Sequence, residues 1–137
     1  MNDIPEGFGP LFRTSPFLEA NGPFYQRMEG KSLILGIRIA EKHANARGLA
    51  HGGLLMTLAD IALGYNAAIS QDPPMSLITT NLSADFASSA KLGDWVEARV
   101  DIQKIGQRVA FANAYLSVGE ERIVRASAVF VVANRTS

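Results

Sequence analysis

The sequence predicts an α+β protein in which an antiparallel β-sheet wraps around one long central α-helix. The first observation is an apolar stretch, residues 52–69, that follows a long polar connection and ends before two prolines, as a helix should. The second is that every later segment alternates apolar and polar residues, as strands do. Because apolar residues cover most of the circumference of this helix, it needs a sheet wrapped around it.

The elements follow one another without an internal repeat or an interdomain linker. Residues 1–31 are rich in Gly, Pro and Phe and are expected to form a loop-rich cap with one short helix. The predicted strands cover residues 32–40, 77–87, 95–105, 108–118 and 122–134. We therefore expect a single domain over residues 1–137.

Composition excludes several classes of protein. The chain has 137 residues, of which 47% are apolar and 19% charged, as in a globular domain with a real core. The 13 Lys and Arg balance the 13 Asp and Glu, so the basic excess of a nucleic-acid binder is missing. There is no cysteine, which excludes disulfides, thiol nucleophiles and thiolate metal sites.

Two further sequence patterns indicate where in the cell the protein is expected. The first ten residues contain no apolar core of the kind found in a signal sequence. The longest apolar run is the helical segment, and its polar interruptions make it a poor membrane span. We therefore expect a cytoplasmic protein with no membrane partner.

The helical segment carries one carboxylate near its middle, Asp60, on a narrow seam of small residues. An ionised carboxylate in a buried place costs several kcal/mol unless a partner or water reaches it. Asp60 is therefore either a structural group that caps a neighbouring backbone or a candidate catalytic base.

The segment begins with Gly52 and Gly53, which leave the start of the helix free of side chains. The N–H groups and the positive dipole end found there suit an oxygen that gains negative charge, as an attacked carbonyl does. The alternative is that the two glycines only turn the chain into the helix.

Asp60 and Gly52 cannot easily serve one site within one chain. They are eight residues apart, or about 12 Å along a helix, whereas catalytic groups must come within roughly 3 Å of the reacting atoms. A second copy of the helix, antiparallel and related by a two-fold axis, would bring Asp60 of one chain beside Gly52 of the other. We therefore expect a homodimer with shared sites.

The stretch HANARGLAHGGLLMTLAD resembles the signature of the PaaI-type acyl-CoA thioesterases of the hotdog superfamily. This signature is N-x-x-G-x-x-H-G-G with an acid nine residues after the histidine. The stretches LITTNLSADFASSAKLGDW and RIVRASAVFVV are also similar to the family, so the resemblance covers roughly residues 30–133. The residues on the signature pattern are Asn45, Gly48, His51, Gly52, Gly53 and Asp60.

The resemblance implies the hotdog fold and hydrolysis of a small or medium acyl-CoA to free acid and CoA, in a dimer or a dimer of dimers. It implies that the Gly52 N–H donates to the thioester oxygen and that Asn45 helps to hold that oxygen or the acyl group. It also implies that Asp60 of the partner chain activates or orients water, or attacks directly. A hydroxyl on the next strand assists in some members, and Thr79 occupies that position.

The remaining candidates concern substrate binding and metals. We expect the His51 ring to order the loop or the helix start, next to a substrate that meets the backbone of Gly52 and Gly53. His43 and His51 could suggest a metal site, but no third strong ligand accompanies them, so no metal or other cofactor is predicted. For the CoA phosphates, Lys91 and Arg108 are the first candidates among the basic residues at turns and strand ends.

Two alternative functions remain open. The chain could be a non-catalytic acyl-CoA-binding protein, although a binder gains nothing from a buried carboxylate such as Asp60. It could also be a hydroxyacyl-CoA dehydratase on the same fold, which would remove water and release no thiol. The hydratase and dehydratase branches place a histidine and an acid in motifs that this sequence lacks.

Overall fold

The central helix and the strands around it lie close to their predicted positions. The computed structural model describes residues 3–133; Met1, Asn2 and the predicted end of the last strand at Asn134 lie outside the described residues. The elements are β1 (Gly9–Pro10), α1 (Pro16–Asn21), β2 (Tyr25–Glu29), β3 (Ser32–Arg38), α2 (Gly52–Ile69), β4 (Leu77–Phe86), β5 (Trp95–Ile105), β6 (Val109–Val118) and β7 (Glu121–Val132).

The strands form one antiparallel sheet in the order β1-β2-β3-β5-β6-β7-β4. Helix α2 packs against β3, β4, β5, β6 and β7 and links β3 to β4 at the far edge. Small side chains on the inner face of the sheet let the helix approach closely. They are the buried alanines Ala98, Ala110, Ala112, Ala114, Ala126 and Ala128. The predicted sheet around a central helix is confirmed.

The N-terminal segment is more ordered than the sequence predicts. The expected short helix is α1, whose N-cap Ser15 accepts a hydrogen bond from the Leu18 N–H. The expectation that loops make up the rest was wrong, because β2 forms a hairpin with β3 and β1 pairs with β2. The β2 sequence YQRME has no apolar alternation, so pairing with the buried β3 makes it a strand.

Helix α2 is buried on one side only. Its opposite side is half-buried or exposed, from Gly53 through Thr57 and Asp60 to Ala68. The expectation of a helix buried on nearly all sides was therefore wrong for a single chain: the sheet covers one face, and the seam of small residues lies on the other. The buried residues are Leu54, Leu55, Leu58, Ala59, Ala62, Leu63, Asn66 and Ala67.

By length and composition, α2 qualifies as a membrane span, contrary to the expectation that its polar interruptions would disqualify it. A helix at the core of a globular fold passes the same test, because it needs the same apolar surface. The packing of α2 against five strands accounts for its composition.

Asn66 is the polar residue that fastens α2 to the sheet. It is only 5% exposed, and its Oδ1 accepts from the Leu33 N–H while its Nδ2 donates to the Leu33 carbonyl, both at 2.9 Å. The pairing of β3 with β5 begins at Leu35. The carboxamide therefore supplies the hydrogen bonds that a neighbouring strand would give to Leu33.

We expect Asn66→Ala to lower the free energy of unfolding by about 3 kcal/mol, because the buried Leu33 N–H and carbonyl lose their partner. The measurement is urea unfolding followed by circular dichroism. The control is Gln71→Ala, which removes an exposed amide just beyond α2 and should change stability by less than about 0.5 kcal/mol. A loss no larger for Asn66→Ala than for the control would contradict this role.

Candidate active site

Asp60 and Thr79 meet on the open side of α2. Thr79 lies opposite Phe130 in the pairing of β4 with β7, and since Phe130 is buried, Thr79 also points toward the helix. Its hydroxyl donates to Asp60 Oδ1 across 3.4 Å. The structure thus joins the candidate base to the hydroxyl that the resemblance assigned to the next strand.

The surroundings of Asp60 favour its neutral form. Burial raises the pKa of the Asp60 carboxyl, and the hydrogen bond from Thr79 partly opposes that rise. Within residues 3–133, no Lys, Arg or His forms an ion pair with it. The carboxyl is half-buried, so water reaches it, which explains how α2 tolerates a charge there.

The start of α2 presents free N–H groups beside an aromatic ring. The His51 carbonyl accepts from Leu54 and from Leu55, whereas the Gly52 and Gly53 N–H groups have no partner in the described part of the chain. A Cβ at Gly52 would lie 3.6 Å from the Phe86 ring, and one at Gly53 would meet nothing within 4 Å. An oxygen atom can therefore approach the helix start from the Gly53 side.

A tight turn before α2 fixes the carboxamide of Asn45. Its Oδ1 accepts from the Arg47 N–H at 2.8 Å and from the Leu49 N–H at 3.2 Å, and the Gly48 N–H donates to its backbone carbonyl at 3.0 Å. Gly48 has a φ of +77°, which only glycine adopts easily. The N-x-x-G spacing thus builds the turn, and Asn45 Nδ2 has no partner among residues 3–133.

Lys91 lies beside this loop and Arg108 does not. The Ala50 N–H donates to Ala90 and the Leu92 N–H donates to Gly48, so the turn that carries Lys91 packs on the loop before α2. Arg108 lies in the β5–β6 turn, at the other end of an 11-residue strand, or roughly 36 Å away. One chain does not bring the two basic candidates together.

The two histidines have roles that the sequence did not reveal. The His51 ring is exposed and makes no capping hydrogen bond; its backbone N–H instead donates to His43. The expectation that its ring orders the loop was therefore wrong. His43 is 3% exposed, accepts from the Ala40 N–H and donates from Nε2 to Asn21 at 2.7 Å, which fastens α1 to the loop.

Residues 3–133 contain no group of three or more His, Asp or Glu side chains placed to hold a metal ion. His43, the more buried of the two histidines, uses both ring nitrogens within the fold. The groups found at the candidate site are the backbone amides of Gly52 and Gly53, the Asp60 carboxyl, the Thr79 hydroxyl and the Asn45 carboxamide.

A cavity of about 510 Å³, which no sequence pattern predicts, lies between the N-terminal segment, the second half of α2 and the start of β4, and it reaches Thr79, the hydrogen-bond partner of Asp60. Thr79 lines one part of it, and Phe12, Arg13 and Tyr65 line another. Residues 11–14 match no motif, so only the structure reveals this wall. The sequence feature that could have indicated the cavity was the aromatic residue Tyr65, which lies five residues beyond Asp60 on α2.

The candidate residues thus form two groups in each chain. Asp60, Thr79 and the cavity make one, whereas Asn45, Gly52, Gly53 and Lys91 make the other. Along α2, Asp60 and Gly52 are separated by about 12 Å, as the sequence predicts.

The thioesterase superfamily model matches residues 47–124, more than half of the chain and the whole of α2. The chain belongs to this superfamily, and its fold is the hotdog fold. Hydrolysis of thioesters is accordingly its general activity, and the resemblance seen in the sequence is confirmed.

Individual proteins that are similar to this chain agree with the superfamily assignment. A Pseudomonas aeruginosa protein named "Putative esterase PA0474" is 50% identical over 131 residues, covering 95% of this chain and 98% of that protein. Mouse acyl-coenzyme A thioesterase 13 is 29% identical over 87 residues, 64% of this chain and 61% of the mouse protein. The structure of a mutant phenylacetic acid degradation protein PaaI from Thermus thermophilus superposes with a TM-score of 0.77 and 20% identity, covering 87% of this chain and 100% of that one.

We expect Asp60→Asn to be as stable as the native protein or more stable at neutral pH. Because burial raises the pKa of Asp60, the folded chain holds the proton more tightly than the unfolded chain. The carboxyl therefore favours folding most below its unfolded pKa, about 4, and this contribution is lost as pH rises through the higher folded pKa. The measurement is Tm against pH for both proteins.

The gain in Tm should shrink as the pH falls toward about 4. The exposed Asp101 on β5 provides the control, since Asp101→Asn removes the same charge outside the site and should leave Tm almost unchanged at every pH. A drop in Tm for Asp60→Asn at neutral pH would show that the carboxylate stabilises the fold.

Proposed function

We propose that this protein hydrolyses small or medium acyl-CoA thioesters to a free acid and CoA, in sites shared between two subunits and without a metal or redox cofactor. The observation that carries the proposal is the half-buried Asp60 carboxyl, hydrogen-bonded to Thr79 and about 12 Å along α2 from the free N–H groups of Gly52 and Gly53. The acyl-CoA thioesterase name of the mouse relative supports the choice of substrate class.

In the proposed reaction, Asp60 of one subunit acts together with Gly52 and Asn45 of the other. The Asp60 carboxylate takes a proton from a water molecule, and the resulting hydroxide attacks the thioester carbon. The carbonyl oxygen becomes negatively charged and accepts from the Gly52 N–H and from the free Nδ2 of Asn45. The tetrahedral intermediate then collapses, the carbon–sulfur bond breaks, and the CoA thiolate takes up the proton held by Asp60, which regenerates the carboxylate.

The direction of the pKa shift of Asp60 suits a general base. A base works best when its pKa lies near the operating pH, and burial moves the pKa of Asp60 toward neutral pH. Thr79 orients the carboxyl through its hydrogen bond to Oδ1, which leaves Oδ2 for the attacking water.

Two surfaces of the chain support a two-fold dimer. Between Gly52 and Asp60, the open side of α2 carries the small residues Gly53 and Thr57, which let the start of a second helix come close. Within residues 3–133, strand β4 lies at the end of the sheet and pairs with β7 alone, so its other edge can pair with the same edge of a second copy. An antiparallel arrangement would place Asp60 of one subunit beside Gly52 of the other.

In the proposed dimer, the remaining candidates for substrate binding are Lys91, Arg108 and His51. Lys91 stands beside the loop that precedes Gly52 and is therefore the candidate for the CoA phosphates on that side of the site, whereas Arg108 lies at the opposite end of the sheet. The exposed His51 ring lies at the helix start, where it contacts the substrate rather than the loop.

We expect native protein to release thiol from at least one member of a panel that runs from acetyl-CoA through decanoyl-CoA to phenylacetyl-CoA and benzoyl-CoA. For the best substrate, Asp60→Asn should lower turnover by at least about a hundredfold, the usual loss on removing a general base. The measurement is thiol release followed with a colorimetric thiol reagent.

Asp101→Asn is the matched control and should keep native turnover, because it removes the same charge from the outer face of β5. Near-normal turnover of Asp60→Asn would remove Asp60 from the mechanism. Tight binding of acyl-CoA with no thiol release would favour a binding protein, and loss of water from a hydroxyacyl-CoA without thiol release would favour a dehydratase.

A further inference from the structure

The cavity that Thr79 shares with the Asp60 region has several apolar lining residues. Thr79, which is hydrogen-bonded to Asp60, lines one part of it. The side chains of Met75, Leu77 and the buried Phe130 line the part between α2 and β4. Its volume of about 510 Å³ lies within the range of small-molecule sites, so the acyl part of a thioester attacked at Asp60 has a place to enter.

The wall formed by the N-terminal segment carries a positive charge. The Arg13 guanidinium lies 5.6 Å from the centre of the Phe12 ring and 5.9 Å from that of Tyr65, and the two rings meet edge to face at 5.1 Å. Arg13 is exposed, and both ring contacts lie within the range of cation–π interactions. Within residues 3–133, no carboxylate forms an ion pair with it.

Tyr65 lies beside this charge on the cavity wall. Burial is the main cause that raises the pKa of the Tyr65 hydroxyl, while Arg13 lowers it and Asp60 raises it further. The hydroxyl stays protonated at neutral pH and can donate a hydrogen bond to an anion in the cavity.

We propose that Arg13 is a specificity-determining residue: it binds a carboxylate at the far end of the acyl group, so that ω-carboxyacyl thioesters are preferred over plain acyl thioesters of the same length. The methylene chain lies along the apolar walls, the thioester lies at Asp60, and the Tyr65 hydroxyl donates to the same carboxylate. This inference rests on the proposed function, because it assigns the acyl group to the cavity next to Asp60.

The rival use of Arg13 is to bind a phosphate of CoA. The two uses differ in a measurable way, because every acyl-CoA carries the same phosphates. An arginine that binds CoA would change two substrates with the same CoA portion equally. An arginine that binds the distal carboxylate would change only the substrate that has one.

The test compares adipoyl-CoA with hexanoyl-CoA, and suberoyl-CoA with octanoyl-CoA, so that each pair differs only in the distal carboxylate. Native protein should show kcat/KM about tenfold higher for the carboxylated member of at least one pair, as expected for a charge-assisted contact. In Arg13→Gln, the ratio should fall to about one, and Arg13→Lys should keep part of it. Lys31→Gln, which removes a charge from the exposed β2–β3 turn, should keep the native ratio.

A native ratio near one in both pairs would overturn the proposal. So would Arg13→Gln if it lowered both members of a pair equally, since that result assigns Arg13 to CoA. If none of these four thioesters is hydrolysed, calorimetric titration with non-hydrolysable thioether analogues of the same pairs decides about Arg13 separately, and the proposed function fails only if the earlier panel releases no thiol either. Tighter binding of the carboxylated analogue that depends on Arg13 supports the inference, and equal binding contradicts it.

Discussion

The packing of one face of α2 against the sheet constrains everything else in this protein. Six buried alanines on the strands let the helix approach closely, and Asn66 fixes its rotation through two hydrogen bonds to Leu33. With that rotation fixed, Asp60 must lie on the uncovered side, where Thr79 meets it. A different rotation would bury the carboxylate in the core, at a cost of several kcal/mol.

The sequence predicts the parts of this structure that local chemistry determines. The Gly-Gly start and Pro-Pro end give the bounds of α2, and the N-x-x-G spacing corresponds to a turn in which Asn45 and Gly48 have separate physical tasks. It could not predict β2, whose polar sequence becomes a strand only by pairing with β3. Nor could it predict the cavity, because Arg13 and Tyr65 are brought together by tertiary packing and share no motif.

Family membership supports the fold and the general reaction, whereas the site geometry supports a site shared between subunits. Membership of the thioesterase superfamily settles the fold and the general reaction. The arrangement of Asp60 and Thr79, with the free amides about 12 Å away along the helix, supports a division of labour between subunits. The small residues on the open side of α2 and the free edge of β4 lie on the same side of the chain as the Asp60 carboxyl. Sites shared between subunits explain this placement, since both surfaces let a second copy come close.

The most direct test of the shared site is rescue between two inactive variants. Asn45→Ala and Asp60→Asn proteins are mixed in equal amounts, unfolded and refolded together, and thiol release is measured once mass analysis has confirmed mixed dimers. Random pairing makes about half of the dimers mixed, and each mixed dimer has one intact and one doubly damaged site, so activity should return to roughly a quarter of the native value. Activity no higher than that of either variant alone would show that each site is built within one chain.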